Sequence, residues 1–395
     1  CGFIDAAKSE AIDTILEMAE LKKDGTLKAV IVTGCLAERY KDEVTREIPE
    51  IDAITGIGGN GDIAEICIKA LEGEKYASFP SKYDLPLSGE RLLTTPEHWA
   101  YLKIAEGCSN CCTYCAIPYI RGKFRSRPAE DIVEEAVQLA QNGVKEIIII
   151  AQDTTKYGID LYGEYRLPSL LRSLSEIDGI EWLRLLYCYP DALTDELLKE
   201  IGENEKVCSY IDLPLQHCNE KVLKAMNRKG SKKELLELLS KIRSYIPDVI
   251  IRTTLITGFP GETEEDFTEL CEFVKEGKFD RLGCFAYSPE EGTPAAQLPG
   301  QVDEQTKIDR GDIIMQQQYD IFTEKQQAKV GKSYKVVVEG YDDYTDCYFG
   351  RSYMDAPEID GLVKFTSSGD HEIGDFVNVK IFDIEEYDLL GEVTE

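Results

Sequence analysis

Apolar positions along this chain follow two rhythms. From about residue 99 to 325, short apolar runs alternate with segments of helical period. The runs WAYLKIAEG, VKEIIIIAQD, WLRLLYCYP, YIDLPLQH, VIIRTTLITGF and RLGCFAYSP have strand length. Between them the spacing predicts helices over Ala129–Gln141, Ser169–Glu176, Asp195–Ile201, Glu220–Ile246 and Glu264–Glu276. Six βα units with short connections predict an α/β fold: a parallel sheet curled into a partial or complete TIM-like barrel.

The two ends read differently. Over residues 1–90, Ala6–Leu21 is an amphipathic helix, Lys28–Cys35 a buried strand of parallel type, and Asp62–Leu71 another helix. The polar stretch SFPSKYDLPLSGERLLTTPEH then reads as a linker. A long polar helix over Asp303–Ala328 closes the core, residues 94–326. Residues 328–395 alternate short strands with turn residues, which predicts a small antiparallel β-barrel. The chain starts at Cys1 directly before a helical pattern, so the first α/β domain is expected to be truncated, a strand or more missing upstream.

Composition restricts the setting. The sequence has no run near the roughly 18 apolar residues of a membrane span, and no basic segment leads into an apolar one at its start. Thirteen cysteines without such a signal point to a reducing compartment and hence the cytoplasm. Cys67, Cys271 and Cys284 sit in apolar periodic segments and are expected to fill core. With 74 acidic against 44 basic residues, the net charge of −30 disfavours nucleic acid as a direct substrate and suits a basic protein partner. The last segment, Ala328–Glu395, carries 6 basic and 16 acidic side chains, too acidic for an RNA-binding barrel.

The chemistry centres on Cys108, Cys112 and Cys115, spaced Cys-x-x-x-Cys-x-x-Cys at the end of the first core strand. Three thiolates on one tight loop suit three irons of a cubane 4Fe–4S cluster and leave the fourth iron open to a small molecule. Zinc is the alternative, because Cys111 adds a fourth thiol. Structural zinc usually draws its cysteine pairs from two separated loops, which four ligands within eight residues do not provide. Asp153, Tyr189, Gln216, Gly258 and Ser288 also follow or end strands, where βα sheets place their sites.

The loop Cys108–Cys115 followed by PYIRGKFRSRP resembles the signature of radical S-adenosylmethionine enzymes, specifically the methylthiotransferases. The resemblance implies that Cys108, Cys112 and Cys115 hold a 4Fe–4S cluster whose open iron chelates S-adenosylmethionine. Reductive cleavage then gives methionine and a 5′-deoxyadenosyl radical. CGFIDAAKSEAIDTIL and VTGCLAERY resemble two cysteine blocks of the family's other domain, which implies Cys1 and Cys35 as ligands of a second 4Fe–4S cluster. The family's third ligand for that cluster has no counterpart in these residues, and Cys111 departs from the usual pattern.

AQDTTKYG, LPLQHCNEKVLKAMNR and IRTTLITGFPGETEEDF match segments that shape the family's cofactor pocket. This implies Gln152, Asp153, Gln216 and Arg252 as hydrogen-bonding groups for S-adenosylmethionine, with satisfied interior polar groups as the alternative. Gly258, with Pro260 and Gly261, permits close backbone approach to a ligand. Arg121 is expected to pair with a carboxylate and His217 to be structural. LLYCYPD and GRSYMDAPEIDG resemble the branch acting on a ribosomal protein more than the transfer-RNA branch. The implied reaction adds a methylthio group to an aspartate β-carbon of a basic small-subunit ribosomal protein. It needs an external reductant, a sulfur donor and a second S-adenosylmethionine as methyl donor. The terminal barrel is then the family's TRAM domain, with Asp342, Asp343, Asp346, Asp355, Glu358 and Asp360 expected to face that basic partner.

Overall fold

The computed structural model describes residues 1–89 and 91–394. Glu90, in the expected linker, and Glu395, at the end of the expected terminal barrel, lie outside the described residues. Helix Asp5–Lys23, helix Cys35–Glu47 and helix Ile63–Leu71 pack with strands Ile31–Val32, Ala53–Thr55 and Tyr76–Ser78, which form one parallel sheet. The strand expected over Lys28–Cys35 contracts to two residues. Gly34 takes φ +98 and turns the chain, so Cys35 opens a helix instead of ending a strand.

All six expected core strands form: Trp99–Lys103, Glu146–Ile150, Trp182–Leu185, Tyr210–Asp212, Ile250–Thr257 and Arg281–Ala286. They make two parallel triplets joined at the Leu183–Val207 bridge. Among the described residues the first and last strands do not pair, so the barrel is partial and open on one side. Side chains alternate along each strand. Leu102, Ile147, Ile149, Leu183, Ile211, Ile251 and Leu255 point outward into the core shared with the helices. Trp99, Ile148, Trp182, Tyr210 and Ile250 point inward. The segment expected as one helix, Glu220–Ile246, is two, Glu220–Ala225 and Lys232–Tyr245, the second capped by Ser231. Helix Glu304–Gln327 covers the outside of the last strand.

The terminal segment closes into a five-stranded barrel of Ser333–Asp342, Cys347–Ser352, Val363–Thr366, Phe376–Glu385 and Asp388–Val393. It is not wholly antiparallel, because Val363–Thr366 runs parallel to Asp388–Val393. This barrel seals the floor of the core barrel, its Val337, Met354 and Phe365 sharing one apolar cluster with Trp99, Trp182 and Tyr210. A buried ionic layer lies alongside. Glu146 accepts from Arg184 Nε and from Arg351 Nη2, both at 2.7 Å. Arg281 pairs with Asp355 at 2.7 Å, and Tyr210 donates to Asp360 at 2.7 Å. Asp355 and Asp360 therefore face the core barrel and not an outside partner, which corrects the expectation for those two carboxylates. Asp342, Asp343, Asp346 and Glu358 are exposed.

Candidate active site

The cysteine loop leaves the short strand Ala105–Glu106 and enters helix Ile117–Arg121. Gly107 makes the turn at φ +75, where a Cβ would sit 2.4 Å from the Lys123 carbonyl oxygen. Cys108 N–H donates to the Gly122 carbonyl at 3.1 Å, and Cys115 N–H to that of Cys112 at 3.0 Å. Thr113 ties the loop to the helix across the barrel mouth, its hydroxyl donating to the Ala225 carbonyl at 2.8 Å.

Cys108, Cys112 and Cys115 line one cavity of about 430 Å³, together with Gln152, Tyr187, Gln216 and Arg228. Burial pushes the Cys108 thiol up to about 11 and the Cys115 thiol up to about 12. Both thiols therefore need a strongly electropositive partner before they ionise, as iron or another metal provides. Three thiols of one loop facing one space match the donor set of a site-differentiated cubane, and the buried Cys188, beyond strand Trp182–Leu185, lines the same cavity. In such a cluster each thiolate meets its own iron at a separate corner. Among the described residues no group of three His, Cys, Asp or Glu side chains is placed to hold a single metal ion. Cys111 turns away from the cavity, exposed and at φ +51, while Asn227 Nδ2 donates to its carbonyl at 3.0 Å.

The remaining predicted residues divide. Gln152 and Gln216 line the cavity, and Gln216 is held at φ +72 by backbone hydrogen bonds with Thr254 and Ile256. Asp153 is buried behind the loop, accepting from Asn110 Nδ2 at 2.8 Å and from the Thr155 hydroxyl at 2.6 Å. Gly258 and Arg252 do not line this cavity. A Cβ on Gly258 would lie 2.2 Å from Lys307 Cγ, so its bareness lets helix Glu304–Gln327 pack closely. His217 Nδ1 accepts from Asn219 N–H at 3.0 Å, leaving Nε2 as the protonated nitrogen, 3.4 Å from the buried Glu262.

Arg228 is a site residue that sequence reasoning did not single out. Its guanidinium lies 3.9 Å from the Cys112 sulfur, stacks 4.3 Å over the Tyr189 ring and donates to the Pro214 carbonyl at 2.7 Å. A local signal existed in LKAMNRKG, where Arg228 follows the short helix clamped to the cysteine loop.

The first domain docks beside this cavity. Arg39 donates to the Gly2 and Phe3 carbonyls at 2.8 and 3.0 Å and lies 3.8 Å from the buried Glu290. Phe3 thereby lines the cavity of the three cysteines. Cys1 and Cys35 line a second cavity of about 480 Å³. Arg121 stands between the two, its Nη2 donating to the Cys35 sulfur at 3.3 Å and its Nη1 to the buried Glu106 at 3.2 Å.

Family models match three stretches: the radical SAM superfamily over residues 102–274, the TRAM domain over 330–394, and "Uncharacterized protein family UPF0004" over 1–56. The cobalamin-dependent S-adenosylmethionine radical enzyme OxsB shares the fold, with a TM-score of 0.50 at 12% identity over 80% of this chain and 46% of that one. The chain is thus a radical S-adenosylmethionine protein with a terminal TRAM domain. The "Ribosomal protein uS12 methylthiotransferase RimO" of Clostridioides difficile (strain 630) is 52% identical over 100% of this chain and 88% of its own length. The protein of the same name from Desulforamulus reducens is also 52% identical, over 100% and 90%. The chain belongs to the family of ribosomal protein uS12 methylthiotransferases.

Proposed function

We propose that this protein transfers a methylthio group to the β-carbon of an aspartate in ribosomal protein uS12. The observation carrying the reading is that Cys108, Cys112 and Cys115 face one cavity at the C-terminal ends of a partial βα barrel, in a chain 52% identical throughout to proteins of that name. These thiols would hold a 4Fe–4S cluster, which when bound supplies the electron that splits S-adenosylmethionine. Around it the chain orients and shields. Gln152 and Gln216 offer amides to the cofactor, Tyr187 and Tyr189 wall off water, and Arg228 places a positive charge beside Cys112. Asp153 fixes the loop through Asn110.

Cys1 and Cys35 are two ligands of a second cluster in this reading, which their shared cavity supports. The reductant and sulfur donor come from outside the chain, and the reaction takes place in the cytoplasm. No helix among the described residues is long and apolar enough to cross a membrane. The test is anaerobic reconstitution with iron and sulfide, followed by incubation with S-adenosylmethionine, a reductant and uS12. The expected result is a uS12 mass increase equal to one hydrogen replaced by a methylthio group. Modification of transfer RNA with uS12 unchanged would overturn the substrate.

A further inference from the structure

The two lips of the open barrel are finished differently. On the first strand, carbonyls facing the opening are covered: that of Trp99 accepts from the Thr95 hydroxyl at 3.0 Å, and that of Lys103 from Arg127 Nη1 at 2.7 Å. On the last strand, Arg281–Ala286, every second residue bonds to the neighbouring strand. The Tyr287 N–H donates to the Thr257 carbonyl at 2.9 Å, so Arg281, Gly283 and Phe285 also turn their backbone toward strand Ile250–Thr257. The N–H and C=O groups of Leu282, Cys284 and Ala286 point the other way, and no described residue pairs with them. An unpaired edge is a template for another strand, and proteins that do not use one blunt it with proline, lysine or a covering loop. Residues 281–286 carry neither proline nor lysine. The terminal barrel closes only the lower end, where Arg281 pairs with Asp355.

Apolar side chains left in solvent flank this edge on both faces. Leu282 and Cys284 pack outward against the core shared with the helices, so Gly283 and Phe285 point inward. Phe285 is 62% exposed, and its ring leans over Gly283, where an added Cβ would stand 3.5 Å from it. On the outer side, Met315 and Tyr319 of helix Glu304–Gln327 line a cavity of about 590 Å³ with Leu282 and Gly283, and both are exposed. Asp312, one turn before Met315, and Glu358, next to Ile359 of the same cavity, are exposed carboxylates without an ion pair to any described residue. The upper end of the edge reaches the cysteine loop. Tyr287 packs in one cluster with Tyr114, which lines the cysteine cavity, and the Ala295 N–H donates to the Thr113 carbonyl at 3.0 Å.

We infer that this free edge is where the segment of uS12 beside the target residue docks, as an added strand leading from the open side up to the cysteine cavity. The backbone of Leu282, Cys284 and Ala286 supplies main-chain hydrogen bonds. Alternate side chains of the segment meet Phe285 on the inner face and Met315 and Tyr319 on the outer one. Asp312 and Glu358 suit the basic character expected of that partner. Ala286 is the last residue of the strand, so the residues that follow the paired stretch pass beyond the strand ends, where the three cysteines lie. This assignment rests on the uS12 reading of the reaction and gives that partner a route to the site.

The test is amide hydrogen–deuterium exchange of the reconstituted enzyme with and without uS12, read at single residues. The Leu282, Cys284 and Ala286 amides should exchange about tenfold more slowly, or slower still, with uS12 bound, because a paired amide exchanges only through opening. Gly283 and Phe285, already in the ladder, should change less. Ala286→Pro removes one free-edge donor and leaves the ladder bonds in place, whereas Phe285→Ser removes the inner apolar wall and keeps the edge. Each should weaken uS12 binding about tenfold by calorimetry. Urea unfolding checks that both variants fold, and the exchange measurement on the unmodified enzyme does not depend on them. Parental uS12 affinity in both folded variants overturns the inference. So does slowing that grows with enzyme concentration in the absence of uS12, which would make the edge a contact between two copies of this chain. An enzyme that binds and methylthiolates uS12 with no slowing at the three amides removes the inference alone. One that neither binds nor modifies uS12 removes the parent reading and this inference with it.

Discussion

Arg121 donates to the Cys35 sulfur with one nitrogen and to Glu106 with another, so a single guanidinium joins the first domain to the root of the cysteine loop. Glu106 is fully buried, and its other side-chain partners are Lys103 at 2.8 Å and the Gly107 N–H at 3.1 Å. Arg121→Met should leave that carboxylate under-compensated and lower stability by about 1–3 kcal/mol, measured by urea unfolding. Proteolysis in the segment between the first domain and the core should quicken as the docking loosens. An unchanged digestion rate would mean that Arg39 and Glu290 hold the domain without Arg121.

Cys111 and Cys112 are adjacent but point to different places. Cys112→Ala should remove the iron–sulfur absorbance contributed by the three-cysteine loop and abolish S-adenosylmethionine cleavage after anaerobic reconstitution. Cys111→Ala should keep both, because Cys111 is exposed and outside the cavity. Equal losses in the two variants would contradict the ligand set. In the metal-free protein, limited alkylation should modify Cys111 before Cys108 or Cys115, as peptide mapping would detect.

Gly258 and Gly261 form a matched pair for testing close packing. Both have positive φ, +69 and +82, but only at Gly258 does a Cβ collide with Lys307. Gly258→Ala should cost roughly 2–4 kcal/mol, from backbone strain plus overpacking. Gly261→Ala, with nothing within 4 Å, should cost only about 1 kcal/mol. Chemical denaturation of the two variants checks the difference.

Acid should loosen the floor of the barrel. Burial alone would raise the Glu146 carboxyl, but Arg351 and Arg184 more than offset it and hold it below the usual carboxylate range. Glu339 behaves likewise, its burial outweighed by His98 and Arg351. Because both are depressed on folding, their stabilisation is complete above the ordinary glutamate value near 4.5 and declines as pH falls below it. Urea midpoints should therefore drop between pH 5 and 3. Glu146→Gln should flatten that acid limb while being less stable at pH 7, since it strips two buried arginines of their counter-ion. A variant with the parent's pH slope would refute the assignment.

Local pattern revealed what depends on local pattern. The six core strands announce themselves because each is a compact apolar run, and the cysteine spacing is complete within eight residues. Helix Cys35–Glu47 was hidden because its sequence is polar and it kinks at Tyr40, while Cys35 looked like the end of the preceding run. The roles of Asp355 and Asp360 were misread for a different reason. Their acidity was visible, but Arg281 stands 74 residues before Asp355, and only folding brings the pair together. Arg121 and Cys35, separated by 86 residues, are a similar case. Arg252 and Gly258 sit in segments that shape a pocket, yet the side from which each is approached is set by register and helix packing.

The ionic floor between the two barrels also constrains how such proteins diversify. A terminal barrel that shares Trp99, Trp182 and Tyr210 with its neighbour, and whose Arg351, Asp355 and Asp360 answer Glu146, Arg281 and Tyr210, is no interchangeable cassette. Exchanging it for another protein's equivalent would strand buried charges on both sides unless the matching core positions travelled with it. Terminal barrel and core barrel are thereby inherited as one unit.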